Sequence, residues 1–414
     1  MLNLELAWDR PARVRDGEQR HVLRVRILPA ASNKSVTLHM ALMLDTSGSM
    51  DGPKLQHAKE VCVAAAALTR PQDRLWLAGF SGDVRPILSG ETGGPELADR
   101  TRAAIAALRA NGVTRTDLAL AWIQSSLTPE PNTFRVGVLV TDGHPTDPTG
   151  ETLKEERLNP LLQQATDAGA EGITLCAVGM GDAEHFNTAF LVDLTNHGRG
   201  KFIYAKDRAE LQDGLRNCLE TGVRVVVPQA KLTARALRAG VEIDRACRFR
   251  PTFVALDGAG DSSTMEWNIG ALTADEPNDM LIEIKTGGLG FGEPLGQYDV
   301  LEVTVDGGDA SAVARAAIEW TNSFMSAQIL NRDVDEDRLM WENNLYAELL
   351  NRTEDPVRHT QYLKQMQSNA QIAGRQDIVD RVTRDLELLQ QQGVLSPDRR
   401  TKTLEQMRKP GGTS

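Results

Sequence analysis

No two of the four cysteines, Cys62, Cys176, Cys218 and Cys247, stand at a spacing that binds a metal or runs a redox cycle. Each lies in an apolar segment, so all four read as reduced core residues. No run of residues approaches a membrane-spanning length, and residues 1–9 carry neither a basic start nor a long apolar stretch. The chain therefore reads as cytoplasmic, with no membrane partner. Positive charge is also in short supply. Against 57 Asp and Glu there are 46 Lys and Arg, and the net charge of −11 argues against nucleic acid as a partner.

Catalytic signatures are missing too. The seven histidines are scattered, with no Cys-His-acid arrangement, zinc spacing or Gly-x-Ser-x-Gly elbow. Residues 287–292 (GGLGFG) are glycine-rich but lie between expected strands. Without a following helix they make neither a dinucleotide fingerprint nor a phosphate loop. The acidic cluster at 333–337 fails as a calcium loop, because Arg338 stands where glycine is needed and Asn344 where the bidentate glutamate belongs. It reads instead as a helix start, where carboxylates complement the dipole.

What is present centres on residues 36–50. An apolar run, VTLHMALML, ends abruptly in Asp45-Thr46-Ser47-Gly48-Ser49. Apolar on both faces, it reads as a strand inside a sheet, and residues 54–68 follow with helical periodicity. Strand, tight turn and helix place the oxygens of Asp45, Ser47 and Ser49 at the carboxyl end of a strand, where open α/β sheets bind ligands. Two further oxygens occur in matching contexts. Thr114 precedes an apolar helix at 118–127, and Asp142 ends a second buried strand at 136–142. Carboxylates with hydroxyls suit a hard cation. Asp-Thr-Ser-Gly-Ser alone is also ordinary turn and capping chemistry; the three segments together carry the metal reading.

Asp45-x-Ser47-x-Ser49, then Thr114, then Asp142, resembles the metal-ion-dependent adhesion site of the von Willebrand factor A domain family, over about residues 35–222. The resemblance implies that Ser47, Ser49 and Thr114 bind the metal directly, and Asp45 and Asp142 directly or through water. It implies Mg²⁺, with Ca²⁺ or Mn²⁺ as alternatives, and a partner protein whose Asp or Glu completes the coordination. The chain would then be a non-enzymatic binding scaffold. Residues 141–147 are similar to a loop of cytoplasmic bacterial members. An alternative reading is an accessory subunit of an AAA+ ATPase of the chelatase-like or MoxR type, with that ATPase or other operon-encoded subunits as its partners. A metal-dependent hydrolase is the less favoured third, since the loop supplies few carboxylates and no obvious base.

Around this centre the expected fold class is α/β and Rossmann-like, a mostly parallel sheet with helices on both faces over residues 35–222. Residues 1–34 supply two alternating strands, at 3–8 and 22–28, joined by a polar linker. Such a pair is marginal alone. Residues 223–308 return to short strands with turn signals, so both parts are expected to make one β-sandwich into which the α/β domain is inserted. Residues 309–395 are expected to be helical, including 310–331, and 396–414 to be a flexible tail.

Overall fold

The computed structural model describes residues 2–29, 36–205, 224–274 and 277–408, together with four positions between 209 and 216. The chain divides into a continuous unit, Asn33–Pro228, and a discontinuous unit made of Met1–Ser32 and Gln229–Ser414. In chain order the first strands are β1 (Leu2–Trp8), β2 (Ala12–Val14) and β3 (Gln19–Pro29).

The continuous unit then runs β4 (Thr37–Asp45), α1 (Pro53–Leu68), β5 (Arg74–Phe80), β6 (Val84–Thr92), α2 (Leu97–Ile105), α3 (Thr116–Ser126), β7 (Thr133–Thr141), α4 (Asn159–Ala170), β8 (Ile173–Met180), α5 (Thr188–His197) and β9 (Arg199–Ala205). Its six strands form one sheet in the order β6-β5-β4-β7-β8-β9. All neighbours are parallel except β5 and β6, which the short turn at 81–83 joins as an antiparallel pair. Every residue of β7 is buried, as is every residue of β4 after its first, which is why both read as unbroken apolar runs. From β4 the chain passes to β5 on one side and later returns to β7 on the other. That reversal opens a crevice at the carboxyl ends of β4 and β7, the usual ligand position in such sheets. The helix expected over 207–220 falls largely outside the described residues.

The discontinuous unit continues with β10 (Val225–Ala236), β11 (Val241–Arg248), β12 (Val254–Leu256), β13 (Ala259–Asp261), β14 (Thr264–Thr273), β15 (Asn278–Thr286), β16 (Gly296–Asp306) and β17 (Ser311–Thr321). These join the N-terminal strands in two sheets, ordered β1-β3-β15-β11-β12 and β13-β14-β10-β16-β17-β2. β3 pairs antiparallel with β1 on one side and β15 on the other, so strands from both ends of the sequence share a sheet.

Two expectations need correction here. The segment between the first strands is not merely a linker: β2 lies within it, parallel to β17. Its Arg13 is buried, its guanidinium donating to Thr286 and to the Gly17 carbonyl and lying 5.5 Å from the Trp320 ring centroid. Residues 310–331, expected as a helix, instead contain β17. The sequence SAVARAAIEWT is alanine-rich and favours helix locally. Its antiparallel ladder of ten residue pairs with β16 and an alternating burial pattern override that preference.

Helices follow: α6 (Phe324–Ala327), α7 (Arg332–Asn351), α8 (Pro356–Ile372), α9 (Gln376–Gln392) and α10 (Pro397–Met407). None of the described helices is long and apolar enough to cross a membrane. The tail expected over 396–414 is corrected by α10. Ser396 caps it by accepting from the Arg399 amide, Pro397 starts it, and Asp398 lies in its first turn, three helix-start signals together. Residues 409–414 lie outside the described residues. The fully buried Asp385 of α9 accepts hydrogen bonds from Arg399 (2.9 Å to Nε) and Thr403 (2.7 Å) of α10. Truncation after Leu395 is expected to destabilise this unit by about 3–5 kcal/mol, because it strips that carboxylate of these partners. Urea unfolding of the truncated chain measures the loss.

Candidate metal centre

The five sequence-predicted oxygens meet at the crevice between β4 and β7. Asp45 is the last residue of β4, and Asp142 directly follows β7. Because the two strands are parallel, both carboxylates emerge at the same edge. Thr114 stands two residues before α3, on the loop leading into it. Backbone hydrogen bonds lock the three loops together. Gly48 donates to the Gly112 carbonyl (3.1 Å) and Asn111 to the Thr46 carbonyl (2.8 Å), tying the first loop to the second. Thr146 donates to the Thr114 carbonyl (2.9 Å) and its Oγ1 accepts from the Thr114 amide (2.9 Å), tying the second to the third.

The side chains complete a connected cluster. Ser47 Oγ and Ser49 Oγ are 3.1 Å apart, and Ser49 Oγ donates to Asp142 Oδ1 at 2.7 Å. Asp45 Oδ1 accepts from the Ser47 amide (2.8 Å), and Oδ2 from Thr141 Oγ1 (2.6 Å). The Thr114 hydroxyl makes no hydrogen bond among the described residues. Gly143 shows where these atoms point. A Cβ built there would stand 3.2 Å from Thr114 Oγ1, 3.5 Å from Ser49 Oγ and 3.9 Å from Asp45 Oδ2. Three of the five oxygens therefore border one small space, kept open by a residue without a side chain.

Electrostatically this space calls for a cation. Asp45 and Asp142 are both fully buried. Burial, helped by the charge of Asp142, pushes the Asp45 carboxyl up to about 6 against hydrogen bonds from Thr141 and Ser47 that hold it down. A divalent ion among these oxygens would reverse that cost. Among the described residues no three His, Cys, Asp or Glu side chains gather in one cluster, so no zinc-like or iron-like donor set is present. Hydroxyls with two carboxylates are the donors a hard ion accepts, and they fit Mg²⁺ in kind.

Sequence reasoning missed three residues. Thr141 orients Asp45, and Gly143 leaves the space free. The third is Lys54, whose Nζ lies 2.5 Å from Asp142 Oδ2. A readable signal existed for it, since a lysine in the first turn of a helix opposes the helix dipole and so asks for an acidic partner elsewhere.

Comparison with known proteins bears on the fold that carries these residues. The family model for the von Willebrand factor type A domain matches residues 39–217. Those residues form a VWA domain. Inter-alpha-trypsin inhibitor heavy chain H3 from Homo sapiens is 28% identical over 210 residues, 47% of this chain, and the protein from Pongo abelii matches equally well. The match spans 23% of each of those much longer proteins. Among solved structures, a von Willebrand factor type A protein from Catenulispora acidiphila superposes over 100% of this chain and 97% of its own, with a TM-score of 0.79 at 16% identity. The ArnB paralog VWA2 from Sulfolobus acidocaldarius covers both chains fully with a TM-score of 0.58, also at 16% identity. At that identity the likeness is one of fold, and it extends beyond the VWA domain to the whole chain.

Proposed function

We propose that the chain is a protein-binding scaffold whose VWA domain holds Mg²⁺ at Asp45, Ser47, Ser49, Thr114 and Asp142. The observation that carries this reading is the convergence of Thr114 Oγ1, Ser49 Oγ and Asp45 Oδ2 around Gly143. Neutral hydroxyl donors leave a bound divalent ion short of negative charge, so it attracts one more anionic oxygen. A surface Asp or Glu of a partner protein supplies it. In this reading the function is recruitment rather than catalysis, which fits a cluster whose two carboxylates are both engaged, Asp45 by Ser47 and Thr141 and Asp142 by Ser49 and Lys54. In this reading the two sheets of the discontinuous unit are a β-sandwich that carries the VWA domain as an insertion between β3 and β10. The reading also places the chain in the cytoplasm, where the buried thiols of Cys62, Cys176 and Cys247 would stay reduced.

Isothermal titration of the full chain with MgCl₂ tests the metal. Saturable one-site binding is expected for the wild type and none for Asp45→Ala. A pull-down in Mg²⁺ and again in EDTA then tests recruitment. A protein retained by the wild type in Mg²⁺ alone supports the proposal; the same proteins retained by wild type and Asp45→Ala, with or without metal, would move the binding surface away from this centre.

A further inference from the structure

The ion pair between Lys54 and Asp142 has a consequence for how the centre divides its affinity. Lys54 lies in the first turn of α1, next to Pro53, in a turn with no acidic residue. A cation there is opposed by the helix dipole, so local helix chemistry does not account for it. Its stem is accommodated instead by Gly181, where a Cβ would stand 3.2 Å from Lys54 Cε. The ammonium ends 2.5 Å from Oδ2 of the fully buried Asp142, while the lysine side chain stays 31% exposed. It thus enters the cluster from the solvent side. Asp142 is divided between two partners, with Oδ1 receiving the Ser49 hydroxyl and Oδ2 the Lys54 ammonium.

Charge counting then gives the ammonium a role. Counted in their ionised forms, the two carboxylates of Asp45 and Asp142 and the one ammonium of Lys54, held together by the contacts above, leave one net negative charge in the cluster. A divalent ion turns this into one net positive charge, and a single partner carboxylate cancels it. Without the ammonium the metal-loaded cluster is already neutral, and a partner carboxylate makes it negative. We infer that Lys54 is a resident cation of the centre, weakening its hold on the metal ion and strengthening the hold of the loaded centre on a carboxylate. This rests on the reading of the cluster as a metal site. Lys54 is in this sense a specificity residue: it moves selectivity from the ion to the ligand. In the metal-free protein the same ammonium screens the repulsion between the two buried carboxylates.

The test compares full-length wild type, Lys54→Met, which keeps most of the stem without the charge, and Lys54→Arg, which keeps the charge. Mg²⁺ and Mn²⁺ affinities are read by calorimetry, melting temperature is read in EDTA and in saturating Mg²⁺, and acetate is the carboxylate probe, followed by relaxation of its methyl protons by bound Mn²⁺. Removing a like charge this close should tighten Mg²⁺ by roughly tenfold in Lys54→Met. It should also lower the melting temperature in EDTA, widen the rise on adding Mg²⁺, and weaken acetate at the loaded site. Lys54→Arg should return all four readouts toward wild type. If Lys54→Met binds Mg²⁺ as well as or less well than wild type, or melts lower by the same amount with and without metal, Lys54 only supports the fold and the inference is overturned. If the wild type itself binds neither Mg²⁺ nor Mn²⁺, the metal reading fails first, and this inference with it.

Discussion

Asp337→Ala should cost the discontinuous unit about 3–5 kcal/mol, because it leaves two guanidinium groups short of their counter-charge in a buried setting. Asp337 sits on α7 with only 6% of its side chain exposed, and it accepts from Arg250 (2.7 and 2.8 Å) and from Arg24 of β3 (3.1 Å). Arg250 is shared: it also donates at 2.8 Å to the fully buried Asp279 of β15, which in turn holds Arg26 of β3 through two hydrogen bonds. Three arginines and two aspartates therefore form one network that ties α7 to the neighbouring strands β3 and β15. Raising the salt concentration should leave the loss largely intact, since buried pairs are screened far less than surface ones. Asp337→Asn keeps the acceptor oxygen but loses the charge, and should cost about half as much. Guanidinium and urea unfolding, compared on the transition of this unit, measures both. A loss below about 1 kcal/mol for Asp337→Ala would class the network with ordinary surface pairs.

The same acidic cluster shows where reading the sequence stops. Asp333 and Asp335 do occupy the first turn of α7, as the dipole argument expects. Asp337, two residues on, has a different reason to be there, and its partners lie 87 and 313 positions away along the chain. Patterning reports what a residue needs from its neighbours in sequence; it is silent on pairings made across a sheet. The strands β4 and β7 were legible because being buried on both faces writes a continuous apolar run. Asp45, Ser47, Ser49, Thr114 and Asp142 were legible because each follows such a run or precedes a helix. β17 was not, because alanine is compatible with either state and the hairpin with β16 decides between them. The helix α10 is written in its Ser396-Pro397-Asp398 start, while the basic residues and glycines that follow favour a loose end over a helix.

Gly143→Ala should weaken Mg²⁺ binding by about 10–100-fold while leaving the metal-free fold nearly untouched. The backbone permits the change: Gly143 is not among the glycines held at positive φ, so an alanine there is not strained by its own conformation. What the methyl meets is the centre itself. It would lie 3.2 Å from Thr114 Oγ1, closer than side-chain carbons ordinarily approach an oxygen, and 3.5 Å from Ser49 Oγ. Either the Thr114 loop gives way by a few tenths of an ångström or the methyl takes the room meant for the ion and its water. Both outcomes penalise Mg²⁺, which demands near-octahedral oxygens at about 2.0–2.1 Å and loses its waters reluctantly. The larger and more tolerant Ca²⁺ should suffer less in relative terms if the loop shifts, and more if the space is simply filled, so calorimetry with both ions separates the two. The melting temperature in EDTA decides what the glycine is for. If it falls along with the affinity, Gly143 serves the packing of the loops and the loss of metal is secondary. If it holds while Mg²⁺ binding collapses, the absent side chain is itself part of the site.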